Sequence, residues 1–254
     1  MQALAGQATQ ALSTQTPKRT LLLPQSAAWN YQGAPVSSDP HAGGPLEQRG
    51  SPLASCRAAV IMLHGRNAGP ANILELAEPL ADPELAFLAP AAAGRTWYPQ
   101  SFLAEAGRNE PQLSSALRRV AALVGFIEAQ GLPRHRIALL GFSQGGCLAA
   151  ESAVRLAAGG ALGGLIALSA GLIGPPGTRW DYPGAFGGMP ALFGCSDADA
   201  HIPAARVRES AEVFTRMGAT VSAILYPGMG HQVNADELAR ARRILSAARG
   251  APER

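Results

Sequence analysis

Ser143 lies in Gly141-Phe142-Ser143-Gln144-Gly145, with Asp181, Asp197 and Asp199 further along the chain and His231 beyond them. A serine hydroxyl is a weak nucleophile at neutral pH and attacks a carbonyl only where a base takes its proton and a carboxylate orients that base. These residue types, in this order, are the parts of an acyl-transfer site. Ile137 to Leu140 is an apolar run, the Gly-x-Ser-x-Gly turn breaks it, and an alanine-rich stretch follows at once. Strand, sharp turn and helix therefore succeed one another without a linker. A hydroxyl at such a turn projects beyond the sheet edge, and the next amide points from the helix N-terminus toward the same spot, where negative charge is favoured. Glycines at 141 and 145 leave room for the neighbouring strand and helix. The competing reading is an ordinary glycine-rich turn with a capping serine; the strand before it and the helix after it weigh against that.

Only His201 and His231 follow Ser143 among the five histidines. His231 closes Tyr226-Pro-Gly-Met-Gly-His231, a flexible turn between the last strand and the last helix, where a ring can hang over the sheet edge, so His231 is the expected base. His201 precedes a helix start and reads as a loop or capping residue. The carboxylate must sit in a loop after a strand and before His231. Asp181 belongs to a long loop, while Asp197 and Asp199 both follow the strand at 191–194, and composition alone does not separate them; the one not used caps the loop or helix. Stabilising an oxyanion takes two N–H donors, for which the amides of Gln144 and of Arg66, in the loop after the first buried strand, are the candidates. His64 reads as a structural residue.

The chain that must position these groups has 254 residues, 47% apolar and 15% charged, enough for one large core. Net charge is +3, but Lys18 is the only lysine and the arginines are scattered, so no nucleic-acid site is indicated. Cys56, Cys147 and Cys195 are far apart, with neither a disulfide framework nor zinc-ligand spacing. No signal peptide and no membrane span is legible, and a cytoplasmic location is the expectation. The arginine-for-lysine bias with abundant alanine reads as bacterial, from a GC-rich genome.

Residues 1–50 read as a poorly ordered N-terminal extension with an edge strand near Leu21 to Leu23, and 51–254 as one catalytic domain. Ala58 to Leu63 is a continuous apolar run, as in a strand covered on both faces. Helices are expected from about Ala71 to Leu80, from an N-cap at Asn109 to Gly131, at Pro203 to Met217 and at Ala235 to Ala248. Strands are expected at Leu85 to Leu88, Gly164 to Leu168, Ala191 to Gly194 and Val221 to Tyr226. The alternation predicts an α/β fold, a mostly parallel sheet with helices on both faces.

LHGRNAGPANI at 63–73, NEPQLSSAL at 109–117, GFSQGG at 141–146, DAHIP at 199–203 and YPGMGH at 226–231 together resemble the phospholipase/carboxylesterase family of α/β-hydrolases, which includes acyl-protein thioesterases. The resemblance spans about residues 55 to 248 and implies Ser143 as nucleophile, His231 as base, and the Arg66 and Gln144 amides as oxyanion donors. The family's Gly-x-x-Asp-Pro-x-Val-Pro favours Asp199 when counted back from Pro203 and Asp197 when counted forward from Gly194; the helix start is the better anchor, which favours Asp199. Asn67 stands where the family commonly has Gly.

The function that follows is that of a carboxylesterase or thioesterase working through an acyl-enzyme, with no metal or organic cofactor. Two alternatives compete: a lactone hydrolase of the dienelactone type, which uses a cysteine at the elbow, and a non-catalytic ligand-binding protein on the same fold. Six of the 14 aromatic residues lie in two long loops, 90–110 and 171–189. Trp97, Tyr98, Phe102, Leu172 and Trp180 are accordingly the expected acyl- or aryl-binding residues. The expected partner is a small-molecule ester, with no nucleic acid and no membrane span; homodimerisation is left open.

Overall fold

The computed structural model describes residues 19–21 and 39–250. Its strands are β1 (Arg19–Leu21), β2 (Leu46–Gly50), β3 (Ala58–Leu63), β4 (Leu85–Pro90), β5 (Ile137–Phe142), β6 (Gly164–Leu168), β7 (Pro190–Ser196) and β8 (Thr220–Tyr226). They form one sheet in the order β1-β2-β4-β3-β5-β6-β7-β8. From β4 to β8 every pairing is parallel, whereas β1 and β2 add an antiparallel edge. The helices are α1 (Pro70–Ile73), α2 (Gln112–Ala129), α3 (Gln144–Leu156), α4 (Ala204–Arg216) and α5 (Ala235–Arg249).

Continuous apolar runs make this architecture because successive side chains alternate between two cores. Ala59, Ile61 and Leu63 of β3, Ile137 and Leu139 of β5, and Leu165 and Ala167 of β6 pack with α2, α3 and α4. Val60, Met62, Leu140, Ile166 and Leu192 point the other way, onto α5 and the short α1. Both faces are covered, so a polar residue at any of these positions would be buried without a partner. Each fully buried Leu, Ile or Val contributes about 2 kcal/mol of burial free energy.

The chain runs from β3 outward to β4 and then returns to place β5 on the other side of β3. That reversal opens a crevice at the C-terminal ends of β3 and β5, where open α/β sheets bind ligands. Ser143 follows β5 and His64 follows β3, so the topology itself brings the two loops together.

Several expectations change. Leu46–Gly50 is a sheet strand, with Leu46 fully buried, so the boundary expected at residue 50 falls inside the folded unit. Its polar sequence, LEQRG, hides a strand paired antiparallel to β4. An edge strand covers Arg19–Leu21 and so meets the expected one at Leu21; the remainder of the expected extension, residues 1–18 and 22–38, lies outside the described residues. The helix expected from Ala71 to Leu80 is one α-turn followed by a 3₁₀ segment, Leu74–Ala77. Asn109 caps no helix: its Oδ1 accepts from Gln100 N at 2.8 Å, and its Nδ2 donates to Ser101 O, tying down the loop ahead of α2.

Candidate active site

Ser143 adopts φ 55° and ψ −124°, a backbone that L-residues avoid. The turn is held by its own amide, which donates to Leu168 O at 2.9 Å, and by its carbonyl, which accepts from Cys147 N at 3.0 Å. A Cβ at Gly145 would stand 2.1 Å from the Leu63 carbonyl oxygen, and one at Gly141 would stand 2.2 Å from Gly145 O. Both obstacles are backbone of the central sheet or of the elbow, which cannot step aside. Gly145→Ala is therefore expected to cost about 3 kcal/mol or more; a thermal midpoint within a degree of the parent would refute the close approach.

His231 sits in the loop between β8 and α5. Its Nε2 lies 2.9 Å from Ser143 Oγ, and its Nδ1 lies 2.7 Å from Asp199 Oδ2. The ring is flanked by Phe142 and, edge-on, by His201, each with centroids 4.8 Å away. The loop is pinned from below: Gly230 N donates to Ser196 Oγ at 3.0 Å and Gly228 N donates to Asp197 Oδ1 at 2.8 Å. Gly230 has φ 77°, which lets the chain turn His231 back over the sheet.

The two aspartates thus do different things. Asp197 fastens the loop that carries His231, whereas Asp199 touches His231 itself. Asp199 Oδ1 accepts from the amides of His201 and Ile202 at 2.8 and 3.1 Å, and Oδ2 also faces the Cys195 thiol at 3.7 Å. Burial acts to raise the Asp199 pKa, but the hydrogen bonds from His231 and the two amides outweigh it and hold the carboxylate below its ordinary value. It stays ionised wherever an esterase would operate. Asp181, the third aspartate, is exposed.

Gln144 opens α3, so its amide is one of the donors that no carbonyl inside the helix can satisfy. Its buried side chain is occupied elsewhere: Oε1 accepts from Trp97 N at 3.0 Å and Nε2 donates to Tyr98 O at 2.7 Å. Arg66 reaches the same loop, its guanidinium donating to the carbonyls of Tyr98, Pro99 and Gln100. Both side chains therefore clamp residues 96–100 against the elbow. Sequence reasoning valued these residues for their amides only. His64 is structural: Nδ1–H donates to Gly65 O at 2.8 Å, Nε2 accepts from Ala92 N at 3.1 Å, and burial lowers its pKa, which keeps the ring neutral.

A cleft of about 990 Å³ opens over Ser143 and His231. Of the five expected substrate-binding residues, Tyr98 and Phe102 line it and Trp97, Leu172 and Trp180 do not. Trp97 is fully buried between His41 and His64, its indole donating to His64 O at 2.8 Å, so it packs the loop onto the body. Leu172 is buried with its carbonyl on Arg206, and Trp180 lies over the same guanidinium, 5.0 Å from ring centroid to cation. The apolar lining comes instead from Ile73, Leu76, Phe142, Ile202 and Val233. These were unremarkable as sequence, because only the tertiary fold gathers them.

Glu237, in the first turn of α5, is fully buried beneath the His231 loop. Its Oε2 accepts from Asn234 N at 2.8 Å, while Oε1 has no partner among the described residues. Burial pushes its pKa up to about 7. A carboxyl whose folded pKa lies above its unfolded value of about 4.5 favours folding at low pH, and that contribution is lost as pH rises toward and through 7. Glu237→Gln keeps an oxygen for Asn234 and carries no charge. The variant should therefore gain on the parent between pH 5 and 8, by on the order of 2 kcal/mol or about 5 °C in thermal midpoint. A difference independent of pH would contradict this.

A parallel sheet with a strained serine between β5 and α3, at the reversal point of the strand order, defines an α/β-hydrolase. Within that class the chain belongs to the Phospholipase/Carboxylesterase family, which residues 51–248 match. Among solved structures it is similar to a phospholipase/carboxylesterase from Dyadobacter fermentans, at 40% identity and TM-score 0.75, over 79% of this chain and 96% of that one. Esterase PE8, at 22% identity and TM-score 0.63, covers 80% of this chain and 96% of its own. Acyl-protein thioesterase 2 from Zea mays, at 18% identity and TM-score 0.62, covers 82% and 100%. The last two likenesses speak to the fold. Comparison with curated proteins finds no match. Among the described residues no helix is long and apolar enough to cross a membrane.

Proposed function

We propose that this chain hydrolyses carboxylic esters or thioesters through Ser143, His231 and Asp199. The observation that carries the reading is the continuous hydrogen-bonded chain from Ser143 Oγ through both ring nitrogens of His231 to Asp199 Oδ2, at 2.9 and 2.7 Å. The Ser143 proton passes to His231 Nε2 as Oγ bonds to the substrate carbonyl carbon, and the negative oxygen is met by the amides of Gln144 and Arg66. The intermediate collapses with cleavage of the bond to the leaving group, which takes the proton from His231. Water, deprotonated by the same nitrogen, then releases the acid and restores Ser143.

The lactone-hydrolase alternative requires a cysteine nucleophile, and Cys147, one helical turn from Ser143, is poorly suited. Burial pushes its thiol up to about 12, so it supplies almost no thiolate at neutral pH. A panel of p-nitrophenyl esters of increasing acyl length, with one thioester beside them, tests the proposal: turnover of at least one is expected, and turnover of none contradicts it. A cytoplasmic setting and a single catalytic domain, with β1 and β2 added to the expected 51–254, belong to the same proposal.

A further inference from the structure

The cleft carries charge of one sign. Among the described residues its lining includes Arg66 and Arg95 and no aspartate or glutamate. Neither arginine has a carboxylate within ion-pair distance among the described residues. Arg66 is spread across three carbonyls, neutral acceptors that leave its charge unbalanced. Asp199, the carboxylate that bears on the site, is completely buried behind His231 and is committed to it. Arg95 is exposed, and among the described residues its side chain makes a single long hydrogen bond, Nε to Ala68 O at 3.4 Å.

The backbone at Arg95 adds an independent observation. Its φ is 61°, directly after Gly94 at 58°, and its carbonyl accepts from the amide of Asn67, whose φ is also 61°. Such a position suits glycine or asparagine, and an arginine there is held against its own preference. The turn geometry therefore gives no reason for an arginine, and the guanidinium at the cleft does. Of the four non-glycine residues with positive φ among the described residues, three line this cleft (Asn67, Arg95 and Ser143), so the strain is concentrated where ligand chemistry takes place.

We infer that the preferred substrates are acidic esters: the substrate carries a carboxylate, and Arg95 at the cleft rim is the residue that selects for it. This rests on the esterase reading and names the substrate class of the same site. Charge is written onto the cleft in addition to the apolar lining supplied by Leu76, Phe142 and Val233. Arg66 is not the residue to vary, because its loss would also release the 98–100 loop.

Two matched pairs of aryl esters test it. In one, 4-nitrophenyl butyrate is compared with 3-carboxy-4-nitrophenyl butyrate, which puts the charge on the leaving group. In the other, 4-nitrophenyl hexanoate is compared with mono-4-nitrophenyl glutarate, which puts it on the acyl side, with spontaneous hydrolysis subtracted. The readout is the ratio of kcat/KM, charged over neutral. In at least one pair Arg95→Gln is expected to lower that ratio about fivefold, Arg95→Glu to lower it further, and Arg95→Lys to retain most of it. The dependence should shrink between about 0.02 and 0.5 M salt. Ratios that move less than twofold in all three variants and both pairs would overturn the inference and leave the esterase reading standing. A parent enzyme that cleaves neither the charged nor the neutral esters would overturn the esterase reading and this inference with it.

Discussion

Replacing Ser143 by alanine is expected to lower kcat by about 10⁵- to 10⁶-fold on any ester that the parent cleaves. The fold should survive, because alanine is smaller than serine, and both hydrogen bonds that hold the turn, to Leu168 O and from Cys147 N, are backbone to backbone. The strained φ of 55° is retained, so thermal stability should change by little. What alanine removes is the single oxygen that lies 2.9 Å from His231 Nε2. A variant that kept more than a tenth of parental turnover, with an unchanged melt, would place the chemistry on another residue.

The second large effect separates the two aspartates. Asp199 Oδ1 accepts from two backbone amides, so in Asp199→Asn the amide oxygen is held at that site and the NH₂ group is forced to the Oδ2 side, facing His231. An NH₂ donor there requires Nδ1 to be unprotonated, which puts the ring proton on Nε2, pointing at Ser143. His231 then cannot take the serine proton, and kcat should fall by on the order of 10⁴. Asp197 accepts a single amide, Gly228 N, through Oδ1, and asparagine supplies the same oxygen. Asp197→Asn should therefore cost no more than a few-fold. Both variants measured on one activated ester, with melts alongside, check the assignment; a silent Asp199→Asn or a dead Asp197→Asn would contradict it.

The aspartate also shows how far sequence carries. Counting back from Pro203 favours Asp199, and the structure gives a physical basis for that anchor: Asp199 Oδ1 binds the amides of residues 201 and 202, immediately before α4. Counting forward from Gly194 leads to Asp197, which is tied instead to the opposite loop through Tyr226 and Gly228. The parallel strands were legible because burial on both faces leaves uninterrupted apolar runs such as Ala58–Leu63. β2 was not, since a short strand one place in from the sheet edge, with only Leu46 and Gln48 buried, carries the polar sequence LEQRG and resembles a linker. Aromatic residues misled in the opposite direction. Trp97 and Trp180 sit in the expected loops, yet their indole N–H groups bind main-chain carbonyls and their rings fasten those loops to the body. Nothing in composition tells a ring that packs a loop from one that faces a ligand.

Covalent trapping tests Ser143 as the nucleophile of a serine hydrolase without knowledge of the substrate. The protein would be treated with a fluorophosphonate, digested with trypsin and mapped by mass spectrometry. Cleavage after Arg136 and Arg155 yields the peptide of residues 137–155, which also contains Ser152, so fragmentation must assign the site. Stoichiometric phosphonylation is expected at Ser143, with its loss in Ser143→Ala and its strong slowing in Asp199→Asn. Absence of labelling in a folded parent, or a label at Ser152 or any other residue with Ser143 unmodified, would contradict it.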